Sequence, residues 1–295
     1  MFEINSIIKR NIKIFLRDPL AIFFSFLSTI ILLMIYIVFL GDVTGGSLDE
    51  FLTQSELSFL VYTQMMGGVI VLNTMTIPLG NLGNIVTDFE YNIIDSFVVT
   101  PVKRYKIILG YYFASLIITL ILSFIVWIIA ALVIGFVTGI FIKAAIFIKI
   151  SLLIALFVFI STSFMILLAT LVKSVNAFGA VSGIFGSFIG FVSGIYMPIS
   201  SSSPAFLRGI ASIFPFTHMT SLSKNILMEQ TFETLRNKGE DYEVLIANIK
   251  DNFGAGNVGL LGFDLSVEVL IGLSITASVI ALLLATKILN RRIKA

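Results

Sequence analysis

The chain has 295 residues, of which 58% are hydrophobic and 12% charged, with 19 Lys and Arg against 17 Asp and Glu, and no Cys. That composition excludes a water-soluble domain of this size, whose surface needs far more charge. The missing Cys excludes disulfides and thiolate metal sites.

The first predicted element is an amphipathic helix over 1–18. Ile4, Ile7, Ile8, Ile12, Phe15 and Leu16 recur at helical spacing, while Lys9, Arg10, Lys13 and Arg17 fall mainly elsewhere on the wheel, the pattern of a helix lying on a membrane surface. It reads equally as a basic interfacial anchor or as a docking element. Pro19 then permits a sharp turn.

Six uncharged runs exceed the roughly 18 residues that mark a membrane span; the spans are expected at 20–41, 59–82, 106–137, 149–172, 176–197 and 266–288. A signal peptide is the competing reading of the first, but its length and the lack of a small-residue cleavage motif oppose it. In hydrocarbon every backbone polar group needs an internal partner, so these runs are expected as helices, and the short alternating segments of a barrel are absent. The fold class is therefore an all-α polytopic membrane protein with six transmembrane helices. Lys and Arg set the orientation. Twelve flank one side (Lys9, Arg10, Lys13, Arg17, Lys103, Arg104, Lys106, Lys173, Lys287, Arg291, Arg292 and Lys294), and Lys143 and Lys149 the other. Both termini are thus expected to be cytoplasmic.

The loop at 83–105 carries Asp88, Glu90 and Asp95, a short apolar stretch with Phe89, Ile93, Ile94, Phe97 and Val98, then Thr100-Pro101 and a basic cluster. Acids early and bases late suit a short helix, apolar on one side and fit to press into a partner's groove. Its wording, D-F-E-Y-N-I-I-D-S-F-V-V-T-P-V-K-R, resembles the type-2 ABC transporter permeases, whose common pattern before the third span is E-R-E-x-G-T-L-E-x-L-L-x-T-P-x-x-R. The match sets Asp88 and Glu90 on the two leading acids, Asp95 on the Glu of T-L-E, and Thr100, Pro101 and Arg104 on T-P-x-x-R; Phe89 replaces the usual Arg and Asn92 the usual Gly. The resemblance implies a cytoplasmic coupling helix in which Asp88, Phe89, Glu90, Asp95, Phe97, Thr100, Pro101 and Arg104 contact a separate ATPase. It also implies an amphipathic N-terminal helix beside that ATPase, and re-entrant extracellular helices after the fifth span.

The segment 198–265 fits that expectation. Pro198, Pro204 and Pro215 interrupt any continuous helix and Ser200 to Ser203 can satisfy freed backbone groups, which reads as a gate or as a plain exit loop. Glu229 to Asp251 turns polar, the composition of an outer insert. His218 is the only histidine and has no partner for a metal site or relay, so no chemistry is assigned to it. In the fifth span Gly179, Gly183, Gly186, Gly190 and Gly194 allow close backbone approach. Gly186, Gly190 and Gly194 form either a dimer seam or internal packing, and the resemblance, in which the second and fifth spans line the path between two subunits, favours the seam.

Three function classes compete. An ion-coupled secondary transporter needs charges within its spans or interrupted repeats in both halves, and a membrane-embedded enzyme needs clustered catalytic groups; neither pattern is present, and no catalytic or metal residues are expected. An ATP-driven permease needs a docking loop, and the chain lacks G-x-x-x-x-G-K-[ST]. ATP and Mg are therefore expected on a separate chain; the resemblance implies that this is an ABC ATPase in two copies, with a second permease subunit completing a homodimer in a bacterial cytoplasmic membrane. The expected path is lined by Thr63, Gln64, Met65, Asn73, Thr74 and Met75 from the second span with Phe178, Phe185 and Phe188 from the fifth. A Met- and Phe-rich wall suits an exported amphiphile such as a drug, antimicrobial peptide, toxin, lipid or glycolipid. Membrane lipid is the only other partner expected, with no nucleic acid.

Overall fold

A computed structural model describes residues 2–20, 51–98, 102–239, 242–257, 259–261 and 265–292, with single positions at 22–23, 27, 30–31, 34, 48 and 263. The expected first span at 20–41 therefore lies almost wholly outside the described residues. The helices are α1 (Phe2–Leu16), α2 (Gln54–Asn81), α3 (Gly83–Glu90), α4 (Ile93–Val98), α5 (Arg104–Thr138), α6 (Ala144–Leu171), α7 (Val175–Val192), α8 (Ala205–Ile213), α9 (Pro215–Arg236), α10 (Glu243–Asn252) and α11 (Val267–Arg292). Among the described residues the only β pairing is an isolated bridge between Leu260 and Phe263. Five stretches are long and apolar enough to cross a membrane: α2 with α3, α5, α6, α7 and α11.

Helix ends follow local chemistry. Thr53 and Glu56 form a capping box at the start of α2, each side chain bonding the other's backbone N–H. Gly139 closes α5 in the left-handed conformation at φ 74°, and Pro215 occupies the first turn of α9, where its missing N–H would be unpaired anyway.

The centre of the bundle is α2, packed by α5, α6 and α9. Although it is the least hydropathic of the five crossing stretches, it is the most enclosed: 78% of its most apolar window is buried, against 22% for α7. Lipid tails are as apolar as Leu, so burial against another helix gains packing and hydrogen bonds rather than escape from water. A helix carrying Thr, Asn and Gln is consequently better placed inside than outside. Thr74 Oγ1 lies 3.3 Å from Ser161 Oγ of α6, and Trp127 of α5, fully buried, stacks on Phe147 and donates to Ser151 Oγ at 3.2 Å.

The second inner helix is α9. The segment 198–265, expected as an extracellular re-entrant segment and insert, divides at Pro215: from there to about Met228 the chain packs along α2 and α6. Ser223 Oγ donates to Gly67 O of α2 at 2.8 Å. Gly67 is required because a Cβ there would stand 2.8 Å from both Lys224 Cγ and Lys224 N. Beyond Met228 the polar half of α9 holds the opposite loops. Gln230 bonds Lys143 N and Phe141 O, Glu233 pairs with Lys143, and Lys238 reaches Glu56 and Phe51 O. A second, smaller apolar cluster joins α10 to this end through Leu57, Leu60, Met228, Phe232, Ile246 and Ile249. The bundle thus has an insert end, bearing α10 and the α5–α6 turn, and a terminal end, bearing α1, α3 and the last turn of α11.

Candidate functional site

At the terminal end the eight-residue helix α3 ties together five other helices, α6 among them through Arg292. Asp88 is 4% exposed and is held bidentately by Arg10 of α1, with Nη1 2.6 Å from Oδ2 and Nη2 2.9 Å from Oδ1. The Tyr111 hydroxyl of α5 donates to the same Oδ2. A buried carboxylate needs such pairing and hydrogen bonding to stay charged. Next along, Phe89 lies beneath the Arg292 guanidinium, 6.0 Å from ring centroid to Cζ, and Arg292 donates to Val172 O and Leu171 O at the end of α6. Glu90 accepts the Val175 N–H at 2.6 Å, placing an anion on the first turn of α7 where the helix dipole favours it. Ser174 caps that turn by accepting from Ala177 N at 3.3 Å.

Helix α1 is also fastened directly to α5. Ile7 seats on Gly110, where a Cβ would come 2.5 Å from Ile7 Cγ2, and Glu3 pairs with Lys106. That lysine holds the Glu3 carboxyl below its ordinary pKa by hydrogen bond and charge. Beside the Asp88 group a space of about 10 Å³ is lined by Asn11, Asn81 and Ser115. Asn11 Oδ1, Asn81 Nδ2 and Ser115 Oγ are buried there without a protein partner, and that volume and polarity match one water molecule.

The turn between α3 and α4 explains one departure from the family pattern. Asn92 has φ 56°, the left-handed region that Gly enters freely and Asn tolerates better than other side chains. Beyond it Ile94 is buried, while Tyr91 is 68% and Ile93 39% exposed. Thr100 and Pro101, and the side chains of Asp95 and Phe97, lie outside the described residues. Arg104 is half-buried as the first residue of α5. Asp88 therefore faces inward onto other helices, Glu90 stays exposed while holding the first turn of α7, and the rest of the exposed surface of this region belongs to Tyr91 and the start of α4.

The other expected site residues separate. Thr63, Gln64, Met65, Asn73, Thr74 and Met75 are each no more than 4% exposed and pack inside the subunit. Polar groups on a central helix find partners there, so they line no open surface. Phe178 is buried and Phe185 half-buried, leaving Phe188 exposed on α7 beside Ile184 and Phe191. The three seam glycines have different reasons to be glycine. Gly186 faces open space; Gly190 makes room for the Tyr196 ring, whose Cε2 a Cβ would meet at 2.1 Å; Gly194 lies past the end of α7 with φ 71°. The fifth helix thus stops at Val192, short of the expected 197. Of the three prolines, Pro198 follows the Tyr196-Met197 turn, Pro204 stands at the N-cap of α8 and Pro215 begins α9.

Sequence reasoning missed Lys224. It sits in α9, outside the apolar runs, yet is 1% exposed and donates from Nζ to Gly194 O at 2.9 Å and Phe253 O at 3.1 Å. It thereby fastens the end of α7 and the α10 insert to α9. The buried serines and threonines around it were the available signal, since a helix this polar inside an apolar chain must satisfy its groups internally. Among the described residues no group of three or more His, Asp or Glu could hold a metal ion.

Comparison with curated proteins gives no match. The family model of the ABC-2 type transporters matches residues 3–228, which include α1 through most of α9. Well over half of the sequence falls within that match, and the chain belongs to the ABC-2 type transporter family as a membrane-embedded transport subunit that is not itself the ATPase.

Proposed function

We propose that this chain is the permease of an ABC exporter and works as a homodimer driven by two copies of a separate ATPase that binds ATP and Mg. The observation that carries the proposal is the convergence of α1, α5, α6, α7 and α11 on Asp88, Phe89 and Glu90. A force applied to this short helix reaches every one of them through hydrogen bonds or ring contact. Docking falls to the exposed Tyr91 and Ile93 and to the following α4, which carries Asp95 and Phe97 ahead of Thr100, Pro101 and Arg104. Asp88 and Glu90 act by fixing α3 on the bundle.

The second subunit covers α7, whose exposed Ile184, Phe188 and Phe191 recur at helical spacing as one apolar face. The cargo path runs along that face, lined by Phe185 and Phe188, and an amphipathic or lipid-like molecule suits its aromatic surface. The terminal end is cytoplasmic, following the excess of Lys and Arg there, and the membrane is that of a bacterial cell. Lys224 does not revive ion coupling, because its two acceptors are backbone carbonyls and no carboxylate pairs with it among the described residues.

The test is affinity purification of the tagged chain from its native membrane with mass spectrometry of what accompanies it. An ABC ATPase is expected in the eluate, and Tyr91→Ala combined with Ile93→Asp should deplete it while the permease itself is recovered in full. Undiminished ATPase in that variant would refute docking through α4.

A further inference from the structure

One enclosed cavity has no part in this scheme. About 200 Å³ lies between α6, α9, α11 and the α10 insert, on a different side of α9 from its packing against α2 at Gly67. Its inner wall is apolar, built from Phe157 and Ile160 of α6, Met219 of α9 and Leu270 of α11. Helix surfaces beside it are lipid-facing in character: Leu152 is 70% exposed on α6, one turn from the lining Leu156, and Leu273 is 46% exposed on α11, next to the lining Ser274.

Polar groups in the cavity are ordered by depth. Lys250 lines it and holds its Nζ 5.1 Å over the Phe232 ring. Phe232 stands seven residues beyond Asn225 along α9, roughly 10 Å nearer the insert end by helical rise. Lys250 has no carboxylate partner among the described residues. Asn225, which lines the middle of the cavity, keeps its Oδ1 buried with no hydrogen-bond partner. From rim to floor the order is cation, acceptor, hydrocarbon.

We propose that this cavity binds a single-chain anionic phospholipid from the leaflet at the insert end. Its phosphate meets Lys250, the free hydroxyl of its glycerol donates to Asn225 Oδ1, and its one acyl chain enters between α6 and α11. The slot is closed on its inner side by Phe157, Ile160, Met219 and Leu270, and its volume of about 200 Å³ is proposed to take part of one chain. Pairing with a phosphate supplies the charge-assisted partner that Lys250 lacks among the described residues. The α10 insert and α11, which provide the cation and one wall, lie beyond the residues matched by the family.

Native mass spectrometry of the detergent-purified chain, titrated with lysophosphatidylglycerol, tests the assignment. Lysophosphatidylcholine and two-chain phosphatidylglycerol are expected to bind at least about fivefold more weakly, the worth of one partly exposed ion pair or one misplaced chain. Lys250→Gln should weaken lysophosphatidylglycerol by about fivefold, and Ser274→Phe, which fills the slot, by about tenfold or more. Lys250→Gln gives up only the cation over Phe232 at the insert end, and thermal unfolding of the variant checks that its binding is read on an intact fold. Equal binding of the choline and glycerol lipids would overturn the charge assignment, equal binding of the two-chain lipid would overturn the single-chain assignment, and full binding by both variants would overturn the site.

Discussion

Removing Arg10 should cost far more than its position on a surface helix implies. Asp88 is 4% exposed and its two oxygens take both Arg10 contacts, at 2.6 and 2.9 Å, with Tyr111 as the remaining partner. In Arg10→Met a buried carboxylate keeps a single hydroxyl donor, and breaking such a pair from one side costs about 3 kcal/mol. In Asp88→Asn the amide still meets Tyr111 but leaves the guanidinium without its anion; Arg10 is 30% exposed and partly solvated, so about 2 kcal/mol is expected. The double variant loses the pair together, and its cost should be about 3 kcal/mol, well below the sum of the two single changes, a coupling of about 2 kcal/mol. Unfolding of the purified subunit in mixed micelles, followed for the four members of this cycle, measures it. Additive losses, with coupling below about 0.5 kcal/mol, would show that Arg10 and Asp88 do not act as one unit and would remove the basis for treating α1 and α3 as one body.

Other consequences are local. Asn92→Gly should leave stability nearly unchanged, while Asn92→Val should lower it by about 1–2 kcal/mol, since φ 56° suits Gly and penalises a β-branched side chain; thermal unfolding distinguishes the two. Glu90→Ala removes the acceptor at Val175 N and should cost about 1 kcal/mol, with faster hydrogen exchange confined to the first turn of α7. Lys224→Met leaves Gly194 O and Phe253 O without their donor and should destabilise by about 1–3 kcal/mol, exposing the α10 insert to limited proteolysis.

Four of the expected runs coincide with long described helices, α2, α5, α6 and α11, whose ends lie up to five residues away, because a membrane demands about 20 apolar residues whatever the fold. Apolar run length misjudged the end of α7, where Gly194 was counted in a small-residue stripe although it serves as the left-handed turn that stops the helix. Periodicity marked α1 but could not say what it would touch; only the folded chain brings Arg10 across 78 residues to Asp88. The acids of the 83–105 loop were legible as a cluster, yet their direction was not. An acid at a surface loop and an acid buried against another helix's arginine look the same along a sequence.

Hydropathy is weakest for the inner helices, α2 and above all α9, for a physical reason. A helix at the perimeter must satisfy lipid over most of its circumference and so shows as an unbroken apolar run, as α5 and α11 do. A helix enclosed by others can carry Thr, Ser, Asn and even Lys224, provided each group finds a partner within the protein. The centre formed by α2 and α9 is therefore the least conspicuous part of the sequence, and the Ser223 to Gly67 bond is where the two meet. Any movement between the two ends must pass through or around that contact. With α2 followed at Leu82 by α3 and its acids, and α9 bound by Lys224 to the last turn after α7, a shift imposed on α3 reaches α7 by two routes, directly through Glu90 and across the core through α9. Loss of one route leaves the other in place, so Glu90→Ala alone should weaken coupling, whereas its combination with Lys224→Met should abolish cargo-stimulated ATP hydrolysis in the reconstituted complex; full stimulation in the combined variant would refute the two-route scheme.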